Sequence, residues 1–227
     1  MKLRSLTALS TALLFCSGLV FAANDASTRL GAAATAFKEV MGIPDKSIPQ
    51  DLLNKAYCIV IVPDLKKGAF VIGAKYGKGF VSCRNKDGVG WSAPGSIRVE
   101  GGSFGLQIGA TETDVFMLVM NARGMERLLS TKFTLGGDAT AAAGPVGRST
   151  QAETDAAMTA EILTWSRARG LFAGISLSGA TLREDAEWNM ELYGKPITNR
   201  LIVSGGAPAP ASASALMTEL NRFSSRK

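Results

Sequence analysis

Histidine is absent from all 227 residues. That excludes Ser-His-Asp and Cys-His nucleophile pairs, imidazole acid–base chemistry and His-ligated zinc together. Cysteine is scarce, at positions 16, 58 and 83, with no CxxC spacing, so neither a cysteine zinc ribbon nor a dithiol redox motif is present. Gly77-Lys78-Gly79 lacks the GxxxxGK[ST] frame and the helix that would follow a phosphate loop. The carboxylates Glu184, Asp185 and Glu187 cluster on a segment read as a helix, where they are expected to form a solvated face and not an acid–base pair or calcium site. No catalytic signature is left, which points to a non-enzymatic protein without cofactor or metal.

What is present is a globular composition, 46% hydrophobic and 19% charged, suited to one domain with one sizeable core. Met1-Lys2-Leu3-Arg4 precedes an apolar run from Leu6 to Ala22. The run is too short and too rich in Ser and Thr for a membrane span, and Val20-Phe21-Ala22 has the small-residue spacing of a cleavage site before Ala23. Residues 1–22 are therefore expected to be an export signal, and the mature chain to reside in the periplasm or at the outer envelope. Acylation of Cys16 is disfavoured by the bulky Phe15 before it. Removing Lys2 and Arg4 lowers the basic count from 25 to 23 against 19 acidic residues, a net charge of +4 and too weak a density for nucleic acid.

Ser27 to Met41 has Leu30, Ala33, Ala34, Phe37, Val40 and Met41 at helical spacing, and Pro49 to Ala56 suggests a further turn or two. Tyr57 to Pro63 is a continuous apolar run, expected to be a strand covered on both faces. Turns are expected at Asp64–Gly68, Tyr76–Gly79, Asn85–Gly88 and Gly101-Gly102, which makes this region a meander. A central strand over Asp114–Met120, a short helix over Asn121–Ser130 and a strand at Lys132–Leu135 follow. Periodicity says little about Asp138–Gly147. Met158–Arg169 reads as helix or strand, with strand favoured for its second half, and a single strand is expected over Leu171–Leu182. Arg183–Tyr193 suggests a helix stopped by Gly194; residues 23–204 form the domain, 205–215 an Ala/Ser/Pro-rich linker, and 216–227 a terminal helix.

If 57–63, 68–76 and 79–85 are consecutive strands, Cys58 and Cys83 lie two strands apart, roughly 9 to 10 Å, beyond disulfide reach. They are then expected to be two buried thiols. Between Lys55 and Lys86, seven basic residues face Asp64 alone. Protection of strand ends and edges by lysine explains such a run, and attraction to anionic lipid head groups is the functional alternative. The candidates are Lys66, Lys67, Arg84, Lys86, Lys75 and Lys78. Strand direction in the meander puts Lys66, Lys67, Arg84 and Lys86 at one end of the sheet and Lys75 with Lys78 at the other. Phe70, Tyr76, Phe80 and Trp91 are the aromatics nearest these turns.

The run VPDLKKGAFVIGAKYGKGFVSCR, then GWSAP, GGSFGLQIGA, TDVFMLVMN, KFTLGGDATAAAGPVGR and SRARGLFAGISLSGATLRED, resembles the SYLF-domain lipid-binding family from about Asp51 to Tyr193. The resemblance implies a non-enzymatic, lipid-associated domain. Eukaryotic members bind phosphoinositides and some engage actin; exported bacterial members act at the envelope. No residue role carries over from a single motif. The expectation is an α+β fold, a curved antiparallel sheet or barrel-like meander packed by several short helices. Its partner is expected to be an anionic phospholipid or membrane surface. The alternatives are an apolar ligand carried inside the sheet and an envelope protein partner.

Overall fold

The computed structural model describes residues 25–69, 72–104, 109–147, 159–168 and 170–225. The expected export signal, Cys16 and Phe70 lie outside these residues.

Nine strands of the described residues form one curled, half-barrel sheet. They are β1 (Cys58–Ala69), β2 (Ile72–Cys83), β3 (Gly95–Phe104), β4 (Gly109–Val119), β5 (Lys132–Thr134), β6 (Ala141–Ala143), β7 (Ile162–Ala168), β8 (Leu171–Gly174) and β9 (Thr181–Glu184). Their order is β5-β9-β3-β2-β1-β4-β7-β6, with β8 also on β7. Only β6 and β7 run parallel. The helices are α1 (Asp25–Met41), α2 (Gln50–Lys55), α3 (Ala122–Leu128), α4 (Ala186–Tyr193), α5 (Asn199–Leu201) and α6 (Ser214–Phe223).

Both faces of the central strands are covered, which is why Cys58 to Val62 is apolar without alternation. Ile59 and Ile61 join Phe80, Phe116, Leu118 and Trp165 beneath α1, α2 and α6, the helix face. Val60, Val62 and Leu65 join Val81, Val99, Val115 and Met117 on the opposite face, under Leu128, Leu135 and Leu177. The stripe Ala26, Leu30, Ala33, Phe37 and Val40 of α1 is fully buried. Its alanines let α6 lie close, and Phe37 meets Phe223 edge-on at 5.8 Å. The Ala/Ser/Pro-rich stretch turns at Gly205, φ 89°, and delivers the chain through a 3-10 turn at Ala211–Ala213 to α6, which docks through Leu216 and Leu220.

The α+β architecture is the expected one, but three expected turns are strand interiors. Asp64–Gly68 continues β1, Tyr76–Gly79 lies within β2, and Gly101-Gly102 lies within β3. Glycine at 77 and 79 serves close approach and not reversal. A Cβ on Gly77 would sit 2.7 Å from Leu65 Cδ1, and one on Gly79 would sit 2.7 Å from Val62 Cα and drive into the Ile61 carbonyl. The region is also not a simple meander. β3 pairs with β2 but β4 pairs with β1, so the chain crosses the β1–β2 pair between them. The expected strand over Leu171–Leu182 is broken into β8 and β9 by a loop that turns at Gly179, φ 80°.

Because β1 and β2 are two long strands and not parts of three, Cys58 lies directly opposite Cys83. Their Cα atoms are 3.9 Å apart and the sulfurs are joined in a disulfide, which overturns the expectation of free thiols. The bridge closes a loop with a sequence separation of 25 and is shielded on the face opposite the helices.

Protein unfolded without reductant should show no titratable thiol at Cys58 or Cys83, and Cys58→Ala/Cys83→Ala should lower the unfolding free energy by about 3 kcal/mol in urea titration. Gly79→Ala should destabilise by about 2 to 3 kcal/mol in the same measurement, because strand backbone would have to move.

Candidate functional site

Between Val62 and Leu65, β1 has two residues, Pro63 and Asp64, opposite the single Asp114 of β4. The same extra residue shifts its register against β2 between Ile61 and Lys66. Proline suits a bulge because it has no N–H to leave unpaired. Asp64 adopts φ 50°, and its N–H donates to Asp114 Oδ1 at 3.1 Å. Arg29 of α1 donates to the Asp64 carboxylate at 3.0 Å and to the Pro63 carbonyl at 3.2 Å. Arg167 of β7 donates to Asp114 at 2.6 and 2.9 Å and to Glu39 of α1. Burial disfavours the charge of Arg167, but the hydrogen bonds to Glu39 and Asp114 outweigh it and raise its pKa.

A one-residue slip exchanges the faces of everything beyond it. After the bulge, Leu65 stays on the face opposite the helices, Lys66 points to the helix face and Lys67 shares the face of Leu65. Lys67 is paired directly with Lys75 of β2. The row across the ribbon reads Gly101, Lys75, Lys67, Thr111, and contains no carboxylate. Among the described residues neither ammonium has an ion-pair partner. Burial, and then the Lys75 charge, push the Lys67 pKa below the ordinary lysine value. Like charges placed directly opposite in a sheet repel.

The other candidates separate from this pair. Lys66 is exposed and lies 3.7 Å from Glu112, its neighbour on β4. Lys78 is a partly buried cation, 2.9 Å from Asp185 and 4.4 Å from the Trp188 ring centroid. Asp185 is 1% exposed and also caps α4 by accepting from Trp188 N, so it is not part of a solvated face; only Glu187 of that acidic group is exposed. Glu184 accepts from Asn199 N at 2.6 Å. Arg84 is a tether at the disulfide end: its guanidinium lies 3.7 Å over Trp91 and donates to the Leu53 carbonyl at 3.0 Å and the Ser224 carbonyl at 2.5 Å. Lys86 is exposed in the Asn85–Gly88 turn at the same end. The expected grouping is thus overturned. Lys67 belongs with Lys75, and Arg84 with Lys86 lies at the opposite end of β1–β2, because the strands reverse beyond Ala69 and not at Asp64.

Two exposed apolar side chains accompany the Lys67–Lys75 pair toward that end of the sheet. Tyr76, beside Lys66 on the helix face, is 48% exposed, and Leu171, at the start of β8, is 76% exposed. Phe80 and Trp91 are core residues. Sequence reasoning missed Leu171, for which the only signal was an apolar residue directly after Gly170. It also missed a second basic row on the helix face, where Arg98 lies opposite Arg183 and Arg183 opposite Lys132, residues too far apart in the chain for any local motif to join. Among the described residues no cluster of metal-ligating side chains is present, and no helix is long and apolar enough to cross a membrane.

The family model described as "Ysc84: Las17-binding protein actin regulator" matches residues 100–223. SH3 domain-containing YSC84-like protein 1 of Rattus norvegicus is 36% identical over 184 residues, 81% of this chain and 54% of that protein. The Homo sapiens protein of the same name is also 36% identical over 184 residues, covering 53% of its length. Protein YSC84 of Saccharomyces cerevisiae is 35% identical over 177 residues, 76% of this chain and 37% of the yeast protein. The chain therefore spans about half or less of the length of these relatives. The agreement runs through the long β1–β2 ribbon as well as the matched C-terminal half, and the chain belongs to the Ysc84, or SYLF-domain, family.

Proposed function

We propose that this protein is a non-catalytic binding module that associates with an anionic membrane surface through the end of the sheet carrying Lys67 and Lys75, and that it does so at the bacterial envelope after export. The observation that carries this reading is the Lys67–Lys75 pair, two ammonium groups set opposite each other with no anion in their row. A phosphodiester surface supplies the missing counter-charge. Each basic residue near such a surface contributes on the order of 1 kcal/mol, screened by salt. Tyr76 and Leu171 add apolar area at the interface. The face opposite the helices is filled by its own side chains from Val60 to Leu182, which favours a surface contact over a ligand carried inside the sheet. A protein partner is the second reading, supported by the Las17-binding description of the family.

In flotation with phosphatidylcholine vesicles containing phosphatidylglycerol, the protein should float at low salt and not at high salt. Lys67→Gln/Lys75→Gln should weaken binding roughly thirtyfold, from about 2 kcal/mol lost, whereas Lys86→Gln should leave it unchanged. Absence of any association at low salt would refute the reading.

Folding stability should carry the mark of the same pair. The folded Lys67 pKa is below 10.5, so the unfolded chain binds more protons in the window between the two values, and stability should rise with pH across it. Lys75→Gln removes the repulsion but not the burial. It should flatten that rise and stabilise the protein at neutral pH by about 0.5 kcal/mol in urea titration.

A further inference from the structure

β7 accompanies β4 only from Asp114 to Val119, yet β4 runs on beside β1 as far as Gly109. Among the described residues, Gly109 to Thr113 therefore have no strand on their outer side. Which main-chain groups point there follows from the ladder. Met120 N–H donates to the Glu161 carbonyl at 2.8 Å, in continuation of the β4–β7 register. Successive residues of an antiparallel strand direct their N–H and C=O to alternate sides, so Asp114, Phe116 and Leu118 address β7 while Thr111, Thr113 and Val115 address β1. Ala110 and Glu112 then present theirs to the open edge. β4 has neither the proline nor the lysine with which strands commonly blunt such an edge. On the other side of the ribbon, β3 also outruns its neighbour β9, beyond Glu100, but there the edge is closed. A Cβ on Gly101 would meet Ala180 Cα at 3.2 Å and the Gly179 carbonyl at 3.3 Å.

We propose that this edge of β4 receives an extended, acidic segment of a partner protein by strand addition. The N–H and C=O groups of Ala110 and Glu112 supply the main-chain bonds of such a mode, and alternate side chains of the incoming segment supply its selectivity. The residue set opposite Thr111 would extend the row Gly101, Lys75, Lys67, Thr111 by one place, on the face opposite the helices. It would stand about 10 Å from Lys67, two strand spacings away, which a carboxylate and a lysine side chain span between them across the exposed Thr111. A glutamate or aspartate there meets the two ammonium groups that have no carboxylate in their row. Its neighbour on the helix face would lie beside Glu112, exposed and 3.7 Å from Lys66, where a second carboxylate would be repelled. The segment is therefore acidic on one face only. Where β7 turns away, a cavity of about 280 Å³ lined by Asp64, Glu112, Thr113, Asp114, Arg167 and Gly170 leaves space for the end of the added strand. A second copy of the chain is the poorer occupant. Pairing two β4 edges about Thr111 would put a second Lys67–Lys75 pair into the same row and bring no anion.

Fluorescence anisotropy with a labelled, end-blocked peptide, Thr-Val-Thr-Glu-Thr-Val-Thr, tests the edge. The parent protein should bind it with a Kd below about 1 mM, and lysine in place of the peptide's glutamate should weaken binding about fivefold or more. Methylating the backbone amides throughout the peptide removes its main-chain donors at unchanged charge and should abolish binding. Glu112→Pro should weaken binding about tenfold or more, yet melt like the parent, because a proline whose missing N–H faced outward costs β4 no ladder bond. Glu112→Gln keeps that N–H and should bind like the parent. Lys67→Gln/Lys75→Gln should no longer distinguish the glutamate peptide from the lysine peptide. If Glu112→Pro melts lower, the methylated peptide on the unaltered protein decides the matter. The proposal is overturned if the parent fails to bind at about 1 mM peptide, if it binds the methylated peptide as tightly, or if Glu112→Pro at parental melting temperature binds as the parent does. Undiminished discrimination between the two peptides by Lys67→Gln/Lys75→Gln overturns the acidic preference. The peptide needs no membrane and Glu112→Pro should still float with vesicles, so failure here and failure of the vesicle-association reading are separable.

Discussion

One inserted residue governs this sheet. The bulge at Pro63 and Asp64 puts two residues of β1 opposite Asp114, and that offset decides which face each later residue of the strand occupies. In a strand without the bulge, Lys67 would fall on the helix face beside Tyr76. With it, Lys67 faces Lys75. The bulge also determines how α1 is seated. Arg29 reaches Asp64, while Arg167 joins Asp114 to Glu39, so the two ends of the helix are tied to the two sides of the same irregularity. Gly77 and Gly79 belong to this device as well, because the crowded backbone of Ile61 to Leu65 leaves no room for a Cβ on the facing strand.

Several charges that look like surface chemistry in the linear chain are used to hold the fold. Lys78 and Asp185 are a shielded pair over Trp188, and removing either partner would leave a desolvated charge, a loss of several kcal/mol in such settings. Arg84 anchors α2 and the end of α6 through carbonyl oxygens while covering Trp91. Asn189, Asn199 and Ser96 form a closed set of hydrogen bonds that binds α4 and α5 to β3. With these cations committed internally, two groups of basic residues remain in direct register, Lys67 with Lys75 at the end of the β1–β2 ribbon, and Arg98, Arg183 and Lys132 across β3, β9 and β5.

Helices were legible where a stripe repeated at helical spacing, as in α1, and where a cap was present, as with Asp185 before α4 and Gly194 after it. Strand content was legible from β-branched runs such as Cys58 to Val62. The turns were not. Asp64 to Gly68 and Tyr76 to Gly79 contain the residues that turns favour, yet they are strand, because glycine satisfies a crowded neighbour as well as it satisfies a positive φ. That single ambiguity carried through to the cysteines. Three short strands separate Cys58 from Cys83, and two long ones make them partners. It also assigned the lysines to the wrong ends.

The sequence by itself determined the class of protein: no imidazole, no phosphate loop, a mixed helix and strand pattern, and an ordered set of segments specific to one family. These depend on residue type and short-range spacing, which the linear chain contains in full. The tertiary structure alone decided which charges are free and which are spent on structure, since pairing depends on register. Register here depends on one bulge and on strand neighbours up to about 90 residues apart in the chain, as with Arg98 and Arg183. Lys67 came to lie opposite Lys75, Arg98 opposite Arg183, and Arg183 opposite Lys132, only when the sheet brought them side by side.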